Sequence, residues 1–219
     1  MTESRIEQMK QTIASKVKGI EMYNPENLKT FELYVEMQSQ ENVYDLEANL
    51  VVLKFYQFSQ KYDIKITSQI LLKALTNFPH TDFILCKCLL NEQLCKEHPI
   101  NQIIYLADLL ECCDLQMFWE EVYKMSDLCS QITGFNDSIR KFVCHVVGIS
   151  FQSIQRSLLA QLLGGVDDND LRFWVQKYGW KEEPNNIIFI ANQDENVKTK
   201  NITEKIDFDN VANLMASCR

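Results

Sequence analysis

The chain has 219 residues, 46% of them hydrophobic, and carries a formal net charge of −8. That length suits one large domain or two small ones, and six glycines with four prolines are too few breakers for a many-turned β-protein. The acidic average works against polyanions, so binding of DNA or RNA would need a local basic patch.

No stretch approaches the ~18 uninterrupted apolar residues of a membrane helix. The opening MTESRIEQMK has no apolar run of the kind a secretion signal needs. The expectation is a soluble, intracellular protein with no membrane role.

Ile6, Met9, Ile13, Val17 and Ile20 step by three and four residues and predict a first amphipathic helix. Asn24-Pro25-Glu26 starts the next. Asn accepts from free amides, Pro fits the first turn, and Glu suits the positive end. Leu28, Phe31 and Val35 carry that helix on. Two more are expected over Asp45–Phe58, with Leu46, Leu50 and Leu53, and over Thr67–Asn77, with Ile70, Leu71, Ala74 and Leu75; Pro79 stops the second. Thr81 is a candidate cap for a helix bearing Phe83, Cys86, Leu89, Leu90 and Leu94. After Pro99, Ile103, Ile104, Ala107 and Leu110 form one stripe, and Leu115, Phe118, Trp119 and Val122 another. Seven helices with short connections fit antiparallel pairs stacked as a solenoid, or an irregular helical bundle.

The texture changes after about Ile132. A helix over Asn136–Val147 points Ile139, Phe142, Val143 and Val146 inward, and Ile149–Ile154 alternates like a short strand. A leucine-rich helix from Ser157 to Leu163 ends at Gly164-Gly165, where glycine tolerates a left-handed exit. Asp167 to Asp170 supply caps and negative charge for a third helix that runs to Tyr178. Ile187–Ile190 then predicts a strand, Gln193–Asn201 a polar loop, Ile202–Ile206 a returning strand and Phe208–Met215 a last helix. That order is the winged-helix plan, a helix-turn-helix closed by a small sheet, with an irregular α+β tail as the alternative. The expected winged-helix core is Leu158, Leu162, Leu171, Trp174, Tyr178 and Trp180. The expected divisions are a helical-repeat domain over 1–131, a winged helix over 132–206 and a C-terminal helix and tail over 207–219.

The residues that could carry chemistry do not assemble into a site. Most of the eight cysteines lie in apolar helical patterns and are expected to be reduced core thiols. Cys86 and Cys88, two apart on a helix, point to nearly opposite sides, whereas Cys88, Cys95 and His98 share a stripe but lack a fourth ligand. Cys112 and Cys113 are adjacent, a spacing that rarely forms a disulfide. Cys144 and His145 lie about 100° apart around a helix, so the imidazole is not aimed at the thiol. No Gly-rich phosphate loop and no HEXXH pattern occurs. The expectation is a protein that is not an enzyme and uses neither cofactor nor metal.

Several stretches are specific: YNPENL (23–28), YDLEANL (44–50), ILLKALTNFPHTDF (70–83), ITGFNDSIRKFVCHVVGI (132–149), KYGW (177–180) and KNITEKIDFD (200–209). In register over nearly the whole chain, they closely resemble the subunit k family of eukaryotic translation initiation factor 3. The resemblance implies a mainly α fold of PCI type, with a HEAT-like helical module followed by a winged helix and a PCI-type region over about 42–204. It also implies a cytoplasmic scaffold subunit, with a nuclear pool left open. The implied partners are other initiation factor 3 subunits, subunit l above all, and the small ribosomal subunit through the complex.

In a winged helix that reads DNA, the third helix enters the major groove by its N-terminal side chains. Here that end carries Asp167, Asp168 and Asp170, and residues 150–219 hold eight Lys/Arg against ten Asp/Glu. Arg172 and Lys177 on the helix, with Lys198 and Lys200 on the expected wing, are the candidate partner or RNA contacts; a solvated surface is the alternative. Protein docking through strand edges and the wing is the favoured use.

Overall fold

Five helices in the first half begin where a short polar side chain closes free amides. The computed structural model describes residues 2–193 together with Val211, Met215 and Ala216. Helix α1 spans Thr2–Lys16, and a 3-10 turn at Ile20–Tyr23 leads to α2, Pro25–Gln40. Asn24 Oδ1 accepts from the Glu26 amide at 3.0 Å. Asp45 starts α3 (Leu46–Ser59), accepting from Ala48 N at 3.2 Å, and Asp63 starts α4 (Ile64–Leu75), accepting from Lys65 N at 2.8 Å. That cap opens α4 three residues before Thr67, the start expected from the apolar stripe.

The single helix expected from Phe83 to Leu94 is two, α5 (Asp82–Cys88) and α6 (Glu92–Lys96). Asn91 breaks it, turning its side chain back to accept from Leu94 N at 2.7 Å. Thr81 makes no side-chain cap. Then come α7 (Ile100–Glu111), α8 (Leu115–Lys124), whose cap Asp114 accepts from Met117 N at 3.3 Å, and α9 (Ser126–Cys129).

Helix α4 is the axis of this half, with α2, α5 and α7 packed around it. All ten residues from Ile66 to Leu75 are buried. Its buried hydroxyls bond back along the helix, Thr67 Oγ1 to Asp63 O and Ser68 Oγ to Ile64 O, each at 2.7 Å. Four tyrosines stitch the surrounding segments by donating to carboxylates: Tyr34 to Asp45 (3.3 Å), Tyr44 to Asp82 (2.9 Å), Tyr56 to Glu32 (2.6 Å) and Tyr62 to Glu97 (3.2 Å).

The second half is the winged helix: α10 (Phe135–Ser150), β1 (Ser153–Gln155), α11 (Arg156–Leu162), α12 (Asp168–Lys177), β2 (Lys181–Glu183) and β3 (Ile187–Phe189). The sheet is antiparallel in the order β1-β3-β2, and the central Ile188 pairs with Ile154 on one side and Glu182 on the other. Ile154 and Ile188 are buried in one core that runs unbroken from Ile6 to Ile190.

Among the described residues the wing is the β2–β3 hairpin, turning at Pro184-Asn185-Asn186 with both asparagines at positive φ. The sequence reading has no strand over 181–183 and expects a wing after Ile187–Ile190, a stretch that lies mostly outside the described residues. Strand β2 is Lys-Glu-Glu with every side chain exposed, so it carries no apolar alternation to read. The expected loop residues 194–201, which include Lys198 and Lys200, and the expected strand over 202–206 lie outside the described residues. Of the last expected helix, Val211 and Met215 are described, and they are helical.

The core expectation needs one shift. Leu171 and Trp174 are buried, but α11 turns Leu159 and Leu163 inward, leaving Leu158 40% exposed and Leu162 half-buried. Trp180 is half-buried, and Tyr178 is exposed. In a run of four leucines within six residues, the sequence alone does not fix which pair faces in.

Candidate protein-docking site

The turn between α11 and α12 is where the two halves are fastened. A helix end leaves its last carbonyls without intrahelical donors. Here three side chains from the neighbouring helices supply them. Trp119 Nε1 on α8 donates to Leu162 O at 2.8 Å, Tyr123 Oη on α8 to Gly164 O at 2.6 Å, and Arg140 Nε on α10 to Leu163 O at 3.2 Å. The Arg140 guanidinium also lies 5.7 Å above the Trp119 ring. Gly164 has φ +88, and a Cβ there would come within 2.8 Å of the indole, so both backbone and space demand glycine.

Beyond the turn, Arg156 ties three pieces together. Its guanidinium lies 3.2 Å from Asp168 at the start of α12 and 3.2 Å from Glu182 on β2, and its own amide donates to Asn186 O at 2.8 Å. The acidic start of α12 is thus partly neutralised from within: Asp168 is paired, and Asp167 makes no side-chain cap. Asp170 stays exposed.

Helix α12 carries an aromatic ladder. Phe173 meets Trp174 edge-on at 5.7 Å, Trp174 stacks with Tyr178 at 6.3 Å, and Tyr178 stacks with Trp180 at 5.4 Å. Lys177 Nζ lies 4.6 Å from the Trp174 ring and 5.4 Å from Phe173. Phe173 is 57% exposed. Sequence reasoning passed over Phe173, because a helix reading collects the inward stripe, here Leu171, Trp174 and Val175. An aromatic off that stripe was the available signal. Alongside runs a cleft of about 340 Å³ between α12 and the start of α10, with Asn42 and Gly134 in its wall.

Arg172 and Lys177 are both exposed on α12, so two of the four candidate contacts share one helix; Lys198 and Lys200 are not described. The cysteines divide. Cys86, Cys129 and Cys144 are buried, and burial raises their thiols to about 12, 11 and 12. Cys88, Cys112 and Cys113 are exposed, against the expectation that most are core residues, because they fall at helix ends and outer faces. Cys144 is buried, and His145, about a quarter-turn further round α10, is exposed. Among the described residues no three His, Cys, Asp or Glu side chains converge as a metal site, and no helix is long and apolar enough to cross a membrane.

A buried-axis helical stack that ends in a three-helix unit with a small antiparallel sheet is the architecture of a PCI-type subunit, a helical module plus winged helix. The sequence matches the CSN8/PSMD8/EIF3K family over residues 61–201. It is 63% identical to eukaryotic translation initiation factor 3 subunit K of Bombyx mori, over 99% of each chain. It is 56% identical to the subunits of that name from Homo sapiens and Xenopus tropicalis, over 96% of this chain and 97% of theirs. The chain belongs to this family, among its initiation factor 3 subunit K members.

Proposed function

We propose that the chain is a non-catalytic scaffold subunit of the eukaryotic translation initiation factor 3 complex. It acts in the cytoplasm and joins other subunits of that factor, subunit l in particular. It meets the small ribosomal subunit through the assembly. In this reading residues 1–131 are the stacking module and 132–206 the docking module. Its relatives carry that subunit's name over almost their full length.

The observation that carries the docking role is the α11–α12 turn, whose three carbonyls are held by Trp119, Tyr123 and Arg140. A winged helix fixed in this way presents its outer face at one angle. A scaffold needs such preorganisation, because a mobile part loses more entropy on association. A second reading, direct contact with RNA, draws on Arg172 and Lys177, exposed on α12. The test is affinity purification of a tagged copy from cells, before and after nuclease treatment. Recovery of the other factor 3 subunits in both cases is the expected result. Recovery of the chain alone would overturn the proposal, and loss of the partners only after nuclease would favour RNA.

A further inference from the structure

The cleft beside α12 combines an exposed aromatic with lysines that, among the described residues, have no acidic partner. Among the described residues Lys141 and Lys177 form no ion pair, and neither does Arg172. Asp137, on the opposite wall, is already matched by Arg140 at 3.3 Å. The uncompensated charge in the lining is therefore Lys177, Lys141 and Asp170; Lys141 lies at the Lys177 end of α12, where its carbonyl is 3.5 Å from Tyr178 Oη. Asp170 and Lys177 lie seven residues apart on one helix, about 10 Å along its axis. Between them stands Phe173, an amphipathic protein's unused apolar surface, steadied by the Lys177 ammonium against its ring.

Resting on the docking reading above, we propose that this cleft receives an acidic peptide segment of a neighbouring protein. An apolar side chain of the segment lies on Phe173, and its carboxylates meet Lys141 and Lys177. Aromatic anchors flanked by charges are where interfaces concentrate their affinity. A peptide can place a neutral or basic residue opposite Asp170. A nucleic-acid strand carries phosphate charge along its whole length and must pass the Asp170 carboxylate too, which disfavours it here.

The experiment is zero-length carbodiimide crosslinking of the native assembly purified through the tagged chain, read by mass spectrometry. Lys141 or Lys177 is expected to join an Asp or Glu of another polypeptide, within a few positions of an apolar residue. Phe173→Ala and, separately, Lys177→Glu are expected to lower that crosslink on the order of tenfold or more. Phe58→Ala, which removes another exposed aromatic, is expected to leave it unchanged. Crosslinks from Lys61 or other outer lysines to partner subunits, with none from Lys141 or Lys177, would overturn the cleft assignment while leaving the docking reading intact. Ultraviolet crosslinking of α12 to RNA would overturn it in favour of the nucleic acid. A tagged chain that recovers no subunit would bring down the docking reading and this assignment together.

Discussion

Lys73 Nζ lies 3.5 Å from Asn42 Oδ1, and among the described residues that long contact is its one hydrogen bond, although Lys73 is only 2% exposed. Asn42 sits just past the end of α2 with φ 53, and Gly134 presses on its other side, where a Cβ would come within 2.9 Å of the amide. The Thr133 amide donates to Ser39 O at 2.9 Å beside them. An ammonium thus stands near the negative end of α2 where α2, α4 and the entry to α10 meet.

Replacing Lys73 by Met should therefore stabilise the chain. Burial lowers the amine from 10.5 to about 8. Between pH 8 and 10.5 the unfolded chain holds the proton that the native one has released, so stability rises with pH across that window; below it the penalty is constant. Lys73→Met is expected to gain about 1–3 kcal/mol at pH 7 and to lose this rise. Urea melts at pH 7 and 9.5 on both proteins check it, and a destabilised variant would show that Lys73 holds more than Asn42. Four residues earlier on α4, Gln69 Oε1 is buried with no partner among the described residues, and Gln69→Met is expected to be neutral or better by the same melts.

Alkali should act through the tyrosines. Burial first, and then the carboxylate each bonds, raises Tyr34, Tyr44 and Tyr56 above the ordinary value of 10.0. A raised folded value means that the native state keeps protons the unfolded chain gives up, so stability should fall progressively above about pH 10. In a stopped-flow jump to strong alkali, the exposed tyrosines should ionise within the dead time, and these three only as the chain unfolds. Simultaneous appearance of all tyrosinate absorbance with the fold intact would contradict the stitching role of these hydroxyls.

Two adjacent glycines allow a controlled comparison. Gly164 and Gly165 both have positive φ, +88 and +67, but only at Gly164 would a Cβ meet the Trp119 indole, at 2.8 Å; nothing lies within 4 Å at Gly165. Gly165→Ala is expected to cost about 1 kcal/mol, the backbone share alone. Gly164→Ala should cost roughly 2–4 kcal/mol, since the indole is pinned by its bond to Leu162 O and cannot retreat without losing it. Equal losses in denaturant melts would mean that Trp119 yields freely and that the turn is not locked.

What could be read beforehand follows what the pattern encodes. Asn24 and Asp45 announce their helices because a cap precedes an apolar stripe at the right spacing. The same logic was available at Asp63 and Asn91, but apolar residues on both sides of each concealed the boundary. Strand β2 could not be read, since a strand with both faces in water leaves no alternation, and only its pairing with β3 defines it. At the site, Arg172 and Lys177 were legible as charges on a helix. Phe173 and the tie from Trp119 to Leu162, 43 residues away, depend on how the halves meet. No local period carries that information.

Arg156 offers the sharpest test of how far the wing is coupled to α12. Its partners Asp168 and Glu182 are 80% and 46% exposed, so each ion pair alone should contribute little. The Arg156 side chain, however, is 18% exposed, and among the described residues it bridges β2 to the start of α12. Arg156→Met, which keeps much of the stem, is expected to lower global stability by about 1 kcal/mol or less. Its larger effect should be local: amides of β2 and of the first turn of α12 should exchange faster, while those of α4 keep their protection. Raising salt should reproduce part of that acceleration in the unmodified chain, because the pairs sit near the surface. Uniform acceleration across α4 and β2 alike would instead mean that the wing unfolds only with the whole molecule and that Arg156 contributes nothing separable to its position.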